Sequence, residues 1–200
     1  MKKLNLIFVL KKLKEKNIKI FSVLDFQRVF GISYELAKKT ILRYSKKRIF
    51  VRAKKGLYFL AETPPSEFAL ANKLYQPSYI SFETALSFYG IIPETIYEIT
   101  SATSRTSREF KIEGLKFSFK TIKKECYLGY TSQKIKNETI LIAEPEKALA
   151  DYLYFVSLKK RELSYERINL GKIKKQKLIN YAKCFQNKKL LELIKELYYD

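Results

Sequence analysis

The chain has 200 residues, 46% apolar and with 14 Phe and 15 Tyr, enough to bury a core in one ordinary domain or two small ones, which excludes disorder of the whole chain. Forty basic against 20 acidic side chains leave a formal net charge of +20, which points to a polyanionic partner. There is no histidine, so His-based triads, HExxH zinc sites and imidazole acid–base chemistry are excluded.

The charge is segregated. Residues 1–62 carry 17 basic and 4 acidic side chains, 63–156 carry 11 and 11, and 157–200 carry 12 and 5. This division predicts two domains: a basic one over 1–62 and a second over 63–200, the latter with a neutral core at 63–156 and a basic helical tail at 157–200. Thr63-Pro64-Pro65-Ser66 marks the join, because consecutive prolines resist both helix and central strand.

Met1-Lys2-Lys3 before Leu6 to Leu10 imitates a signal-peptide start, but Lys11-Lys12 ends the apolar run after five residues, so the stretch is read as helix. From Leu4 to Lys16, Leu6, Val9, Leu10 and Leu13 form one apolar stripe. Ser22 with Asp25 three residues on resembles a capping box, opening a short helix that buries Val23, Phe26, Val29 and Phe30. Gly31 supplies a left-handed C-cap, Ile32 plugs the core, and Ser33 caps the next helix. In that helix, Tyr34 to Lys47, Ala37, Ile41 and Tyr44 face inward, whereas Glu35, Lys39, Leu42 and Lys46 face outward, flanked by Lys38 and Arg43. Leu42 on that polar face either touches a thymine methyl or packs against another element.

Residues 49–53 and 57–60 are β-branched and aromatic around Lys54-Lys55-Gly56, which predicts a hairpin. A hairpin directly after the second helix of a helix-turn-helix is a wing. Arg52, Lys54 and Lys55 then stand where a phosphate or the minor groove lies if the helix enters a major groove. The expected DNA contacts are Ser33, Tyr34, Lys38, Lys39, Arg43, Lys46, Arg52, Lys54 and Lys55.

The rest predicts a mixed α/β domain. Helices are expected over 66–74 and 81–89, strands over 97–100, 110–112, 115–119 and 139–143, with a turn at Glu113-Gly114. Pro145 opens a helix to about Val156, and 178–199 is expected to be largely helical. The tyrosines are expected in cores and interfaces. Cys126 and Cys184 lie 58 positions apart, neither a zinc knuckle nor a disulfide framework, which fits a reducing cytoplasm. The six glycines are never closer than 15 apart, so no P-loop or GxGxxG turn exists. No apolar run approaches the roughly 18–20 residues that span a bilayer.

The chain resembles the AbiEi-type antitoxins of type IV abortive-infection toxin–antitoxin systems over nearly its whole length. The resemblance is carried by Lys55-Gly56-Leu57-Tyr58 at the end of the expected winged helix, by residues 81–90 (SFETALSFYG) with Pro93, by Ile99-Thr100-Ser101, and by residues 143–151 (AEPEKALAD). It implies a winged helix-turn-helix that binds inverted repeats in its own promoter as an autorepressor. It also implies a second domain that counteracts a co-encoded nucleotidyltransferase-type toxin without requiring a stable complex.

Two other classes stand beside this one. Glu144, Glu146 and Asp151 follow a strand as the metal-binding carboxylates of nucleases do, yet Lys147 at i+3 from Glu144 and i−4 from Asp151 makes surface ion pairs an equal account. The basic run from Lys159 to Lys177 suits an RNA-binding or toxin-sequestering module, but it offers only Tyr165 for stacking. The expectation is therefore an α+β protein, a winged helix-turn-helix followed by a mixed α/β antitoxin domain with a helical C-terminus. It is expected to be cytoplasmic, non-enzymatic and without cofactor, with double-stranded DNA and the toxin as partners and no membrane.

Overall fold

A computed structural model describes residues 4–93, 97–135, 137–161 and 168–198, and in it the chain divides into two units, Met1–Leu74 and Tyr75–Asp200. The division falls after residue 74 instead of after residue 62. The first unit contains α1 (Leu6–Glu15), β1 (Ile20–Ser22), α2 (Val23–Phe30), α3 (Tyr34–Lys46), β2 (Phe50–Lys54), β3 (Leu57–Leu60) and α4 (Glu67–Leu74). Part of the reason α4 belongs here is local. The Lys54 ammonium donates to the Leu74 carbonyl at 2.6 Å, placing a cation on the negative end of that helix.

Each helix of the first unit begins or ends on a specific side chain. Asn5 caps α1 by accepting from the Ile7 N–H at 3.0 Å. Ser22 and Asp25 form the full reciprocal capping box of α2. Gly31 ends α2 at φ 61°, ψ 40°, a left-handed conformation that glycine adopts without a Cβ penalty. The strands pair antiparallel in the order β1-β3-β2. Val9, Leu13, Phe21, Phe26, Ala37, Ile41 and Phe50 form the core under them, with Phe21 and Phe50 meeting edge to face at 5.0 Å. Val29 and Phe30, expected inside, are only half-buried.

Asp25 ties this packing to pH. Partial burial raises its carboxyl, but the Ser22 N–H and hydroxyl and the charges of Arg28 and Lys73 outweigh that and hold it below its ordinary 3.8. A depressed carboxylate stabilises the fold above its unfolded value and loses that contribution as pH falls through the folded one. Asp25→Ala is therefore expected to lower the unit's stability by about 1 kcal/mol near neutrality. Thermal melts of the variant and the wild type should converge in acid below the ordinary aspartate value.

The second unit runs β4 (Ser78–Ile80), α5 (Phe82–Phe88), β5 (Glu98–Thr103), β6 (Arg108–Ile112), β7 (Leu115–Thr121), a 3-10 turn at Lys124–Cys126, β8 (Tyr130–Ile135), β9 (Glu138–Ala143), α6 (Pro145–Ser157), α7 (Lys175–Lys183) and α8 (Lys188–Glu196). Its six-stranded sheet has the order β6-β7-β5-β4-β9-β8, parallel at β5/β7 and β4/β9 and antiparallel elsewhere. Pro145 sits in the first turn of α6, where its missing N–H breaks no helical bond. Helix α6 is the most buried helix described, packed by α5, α7 and α8. The stretch expected to be largely helical over 178–199 is so among its described residues, as two helices. Gln186 at φ 50° breaks them and Asn187 caps the second by accepting from the Leu190 N–H; Tyr199 lies outside the described residues.

Candidate nucleic-acid interface

Helix α3 is oriented by its own buried side. Ala37, Thr40, Ile41 and Tyr44 are buried, so helical geometry turns Glu35, Lys38, Lys39, Leu42 and Lys46 outward, and all five are exposed. Ser33 is an N-cap, its hydroxyl accepting from the Leu36 N–H at 3.3 Å. Tyr34 follows at 43% exposure.

The β2–β3 hairpin faces this stripe and encloses an open groove of about 710 Å³ with it. Five cations line the groove, Lys39, Arg43, Lys46, Lys47 and Arg52, around Leu42, Ser45 and Tyr58, with no acidic side chain among them. Leu42, 43% exposed, lines the same groove as the hairpin residue Tyr58. Lys47 and Tyr58 were missed in the sequence. Lys47 follows the end of α3, and Tyr58 is a core strand residue whose cross-strand partnership with Arg52 places it beside the groove.

Two expected contact residues are engaged inside the unit. Arg43 donates to the Leu4 carbonyl and to the Tyr44 hydroxyl, each at 3.2 Å, and stacks on the Tyr44 ring at 4.8 Å. Its Nε and the Ser45 Oγ are buried and have no hydrogen-bond partner among the described residues. Lys54 closes the hairpin turn opposite Leu57, but its side chain is turned toward Leu74, away from Arg52, and a bulge accounts for this. Arg52 pairs with Tyr58 but Lys54 pairs with Leu57, so the extra residue, Ala53, shifts Lys54 to the opposite face from Arg52. Arg52 and Lys55 remain exposed. Lys54→Ala is accordingly expected to destabilise the first unit by about 1.5 kcal/mol, the worth of a charge-assisted hydrogen bond, as read by chemical denaturation, and to leave nucleic-acid affinity nearly unchanged.

In the second unit residues 79–89, 100 and 143–151 meet in space. The Ser81 hydroxyl, at the N-cap position of α5, makes no cap bond and instead donates to Asp151 at 2.7 Å; Tyr79 donates to the same oxygen at 3.1 Å. Lys147 pairs with the other Asp151 oxygen. Thr100 donates to the Ser81 carbonyl at 2.8 Å, and the Tyr89 hydroxyl donates to the Ala143 carbonyl at 2.9 Å. Lys147 and Asp151 are wholly buried, so the expected surface ion pair is an interior one. Burial pushes the Tyr79 phenol far up, and the Asp151 carboxylate beside it adds to the shift.

The three carboxylates considered for a metal are each held by protein side chains, and Glu144 and Glu146 share Lys177. Glu144 is held by Tyr181 and, at 3.1 Å, by Lys177; Glu146 lies 3.4 Å from Lys177; Asp151 belongs to the buried centre. Among the described residues no group of three His, Cys, Asp or Glu side chains converges as a metal site. The basic run is partly neutralised: Arg161 pairs with Glu83, Lys177 with Glu144 and Glu146, and Lys172 donates to the Tyr89 and Gly90 carbonyls. Tyr165 lies outside the described residues. Among them no helix is long and apolar enough to cross a membrane.

The chain matches no model of a known protein family, and no curated protein is significantly similar to it.

Proposed function

We propose that residues 4–74 form a winged helix that binds duplex DNA, and that the chain is a transcriptional autorepressor and antitoxin acting against a co-encoded nucleotidyltransferase-type toxin. The observation that carries the DNA-binding half is the groove: five cations and no acid line it between α3 and the hairpin, a charge pattern suited to a sugar–phosphate strand. Tyr34 and Lys38, exposed on the first turns of α3, face the bases, and Lys39, Lys46, Lys47, Arg52 and Lys55 hold the backbone. The antitoxin half is supported by the resemblance over residues 81–90, 99–101 and 143–151.

The test compares a duplex from upstream of the chain's own gene with a random duplex of equal length. Tyr34→Ala and Lys38→Ala are expected to reduce the preference for the upstream duplex by about 1–3 kcal/mol per base contact, whereas Lys55→Ala weakens both duplexes alike. Equal binding of the two duplexes by the wild type would refute the repressor role. Coexpression with the neighbouring toxin should show rescue of growth, and its absence would refute the antitoxin role.

A further inference from the structure

The chain's only two cysteines, 58 positions apart in sequence, are brought into contact in the second unit. Cys126 ends the 3-10 turn after β7 and is buried; Cys184 caps the end of α7 and is half-buried. The two thiols lie close enough to influence one another, and Cys184 donates to the Tyr181 carbonyl at 2.9 Å. A second tie holds the same two segments side by side: the ammonium of Lys123, just before the turn, donates to the carbonyl of Phe185, next to Cys184. Both cysteines are free.

We infer that Cys126 and Cys184 are a two-electron redox site, a dithiol that closes to an intramolecular disulfide on meeting a peroxide. The more accessible sulfur reacts first. Cys184 takes one oxygen from hydrogen peroxide to become a sulfenic acid, and one water leaves. Cys126 then attacks the Cys184 sulfur, the S–S bond forms as the S–O bond breaks, and the departing hydroxide leaves as a second water with the proton Cys126 gave up. The two thiols together lose two electrons and two protons, and the peroxide is reduced to two waters. Burial raises both thiols while the Lys147 charge works against it at both, so the pair is a slow responder beside a dedicated low-pKa sensor cysteine. Closure ties the turn before β8 to α7 and encloses β8, β9 and α6 in one loop, which restricts the unfolded chain and stabilises the unit.

The full-length protein, fully reduced, is exposed to hydrogen peroxide, then denatured for thiol titration, intact-mass measurement and non-reducing peptide mapping. Both thiols should disappear together with a mass loss of about 2 Da, the two hydrogens removed. A Cys126–Cys184 linked peptide should be recovered, and the melting temperature should rise and return with dithiothreitol. In Cys126→Ser the same treatment should leave Cys184 as a sulfenic acid trapped by dimedone, with no bridge. The inference is overturned if the wild type keeps both thiols, if Cys184 alone is consumed, if the bridges form only between chains, or if Cys184 in Cys126→Ser fails to react.

Discussion

Lys147→Met is expected to cost the second unit about 3–5 kcal/mol, the penalty for removing one partner of a buried ion pair and leaving the other uncompensated. Lys147 and Asp151 are both wholly buried, and among the described residues Asp151 would keep the hydroxyls of Ser81 and Tyr79. Two neutral hydroxyls do not replace an ammonium, so the carboxyl would fold in its protonated form. Burial already raises Asp151 above its ordinary value, with Lys147 as the largest opposing influence, and without Lys147 the rise grows. A loss of this size is a large share of the 5–15 kcal/mol that holds a typical domain. Lys147→Met combined with Asp151→Asn, which removes the stranded charge while keeping the shape, should recover most of the stability. Urea denaturation followed by circular dichroism distinguishes the outcomes: equal destabilisation in the single and double variants would mean that the pair acts through packing alone.

The second large effect concerns the outward face of α3. Changing Lys38, Lys39 and Lys46 together to Ala removes three exposed cations and leaves the buried Ala37, Ile41 and Tyr44 in place, so the fold should persist. Affinity for duplex DNA is expected to fall by about two orders of magnitude, on the order of 1 kcal/mol for each charge-assisted contact. Anisotropy titrations at one low salt concentration measure it, with circular dichroism to verify folding. Unchanged affinity in the folded triple variant would move the nucleic-acid contact off α3.

Much of the first unit was legible because its signals are local. A capping box, a left-handed glycine and a serine cap each act within a few residues, and Ser22 with Asp25, Gly31 and Ser33 all stand as expected. Strand β1 was not legible: Ile20–Ser22 spans three residues, too few to alternate, and exists because β3 pairs with it. Strand β4 is equally short, and β8, with Thr, Ser, Gln and Lys at its centre, is an edge strand whose polar pattern suits its position. The site divided along the same line. Exposure of Lys38, Lys39 and Lys46 follows from helical periodicity, whereas the diversion of Lys54 depends on a bulge and that of Arg43 on the Leu4 carbonyl, 39 residues away. The burial of Lys147 and Asp151 was hidden for the opposite reason: their i,i+4 spacing is that of a common surface pair, and only Ser81 and Tyr79, about 70 residues earlier, make an interior position tolerable.

The central claim is that the cations of the first unit meet the phosphates of duplex DNA, and the salt dependence of binding tests it most directly. With about five phosphates engaged by Lys39, Lys46, Lys47, Arg52 and Lys55, log K should fall linearly with log salt at a slope of about −4.5. The triple variant, which loses two of those contacts, should give a slope shallower by about two units. A slope near zero, or one identical in the wild type and the folded triple variant, would contradict the account.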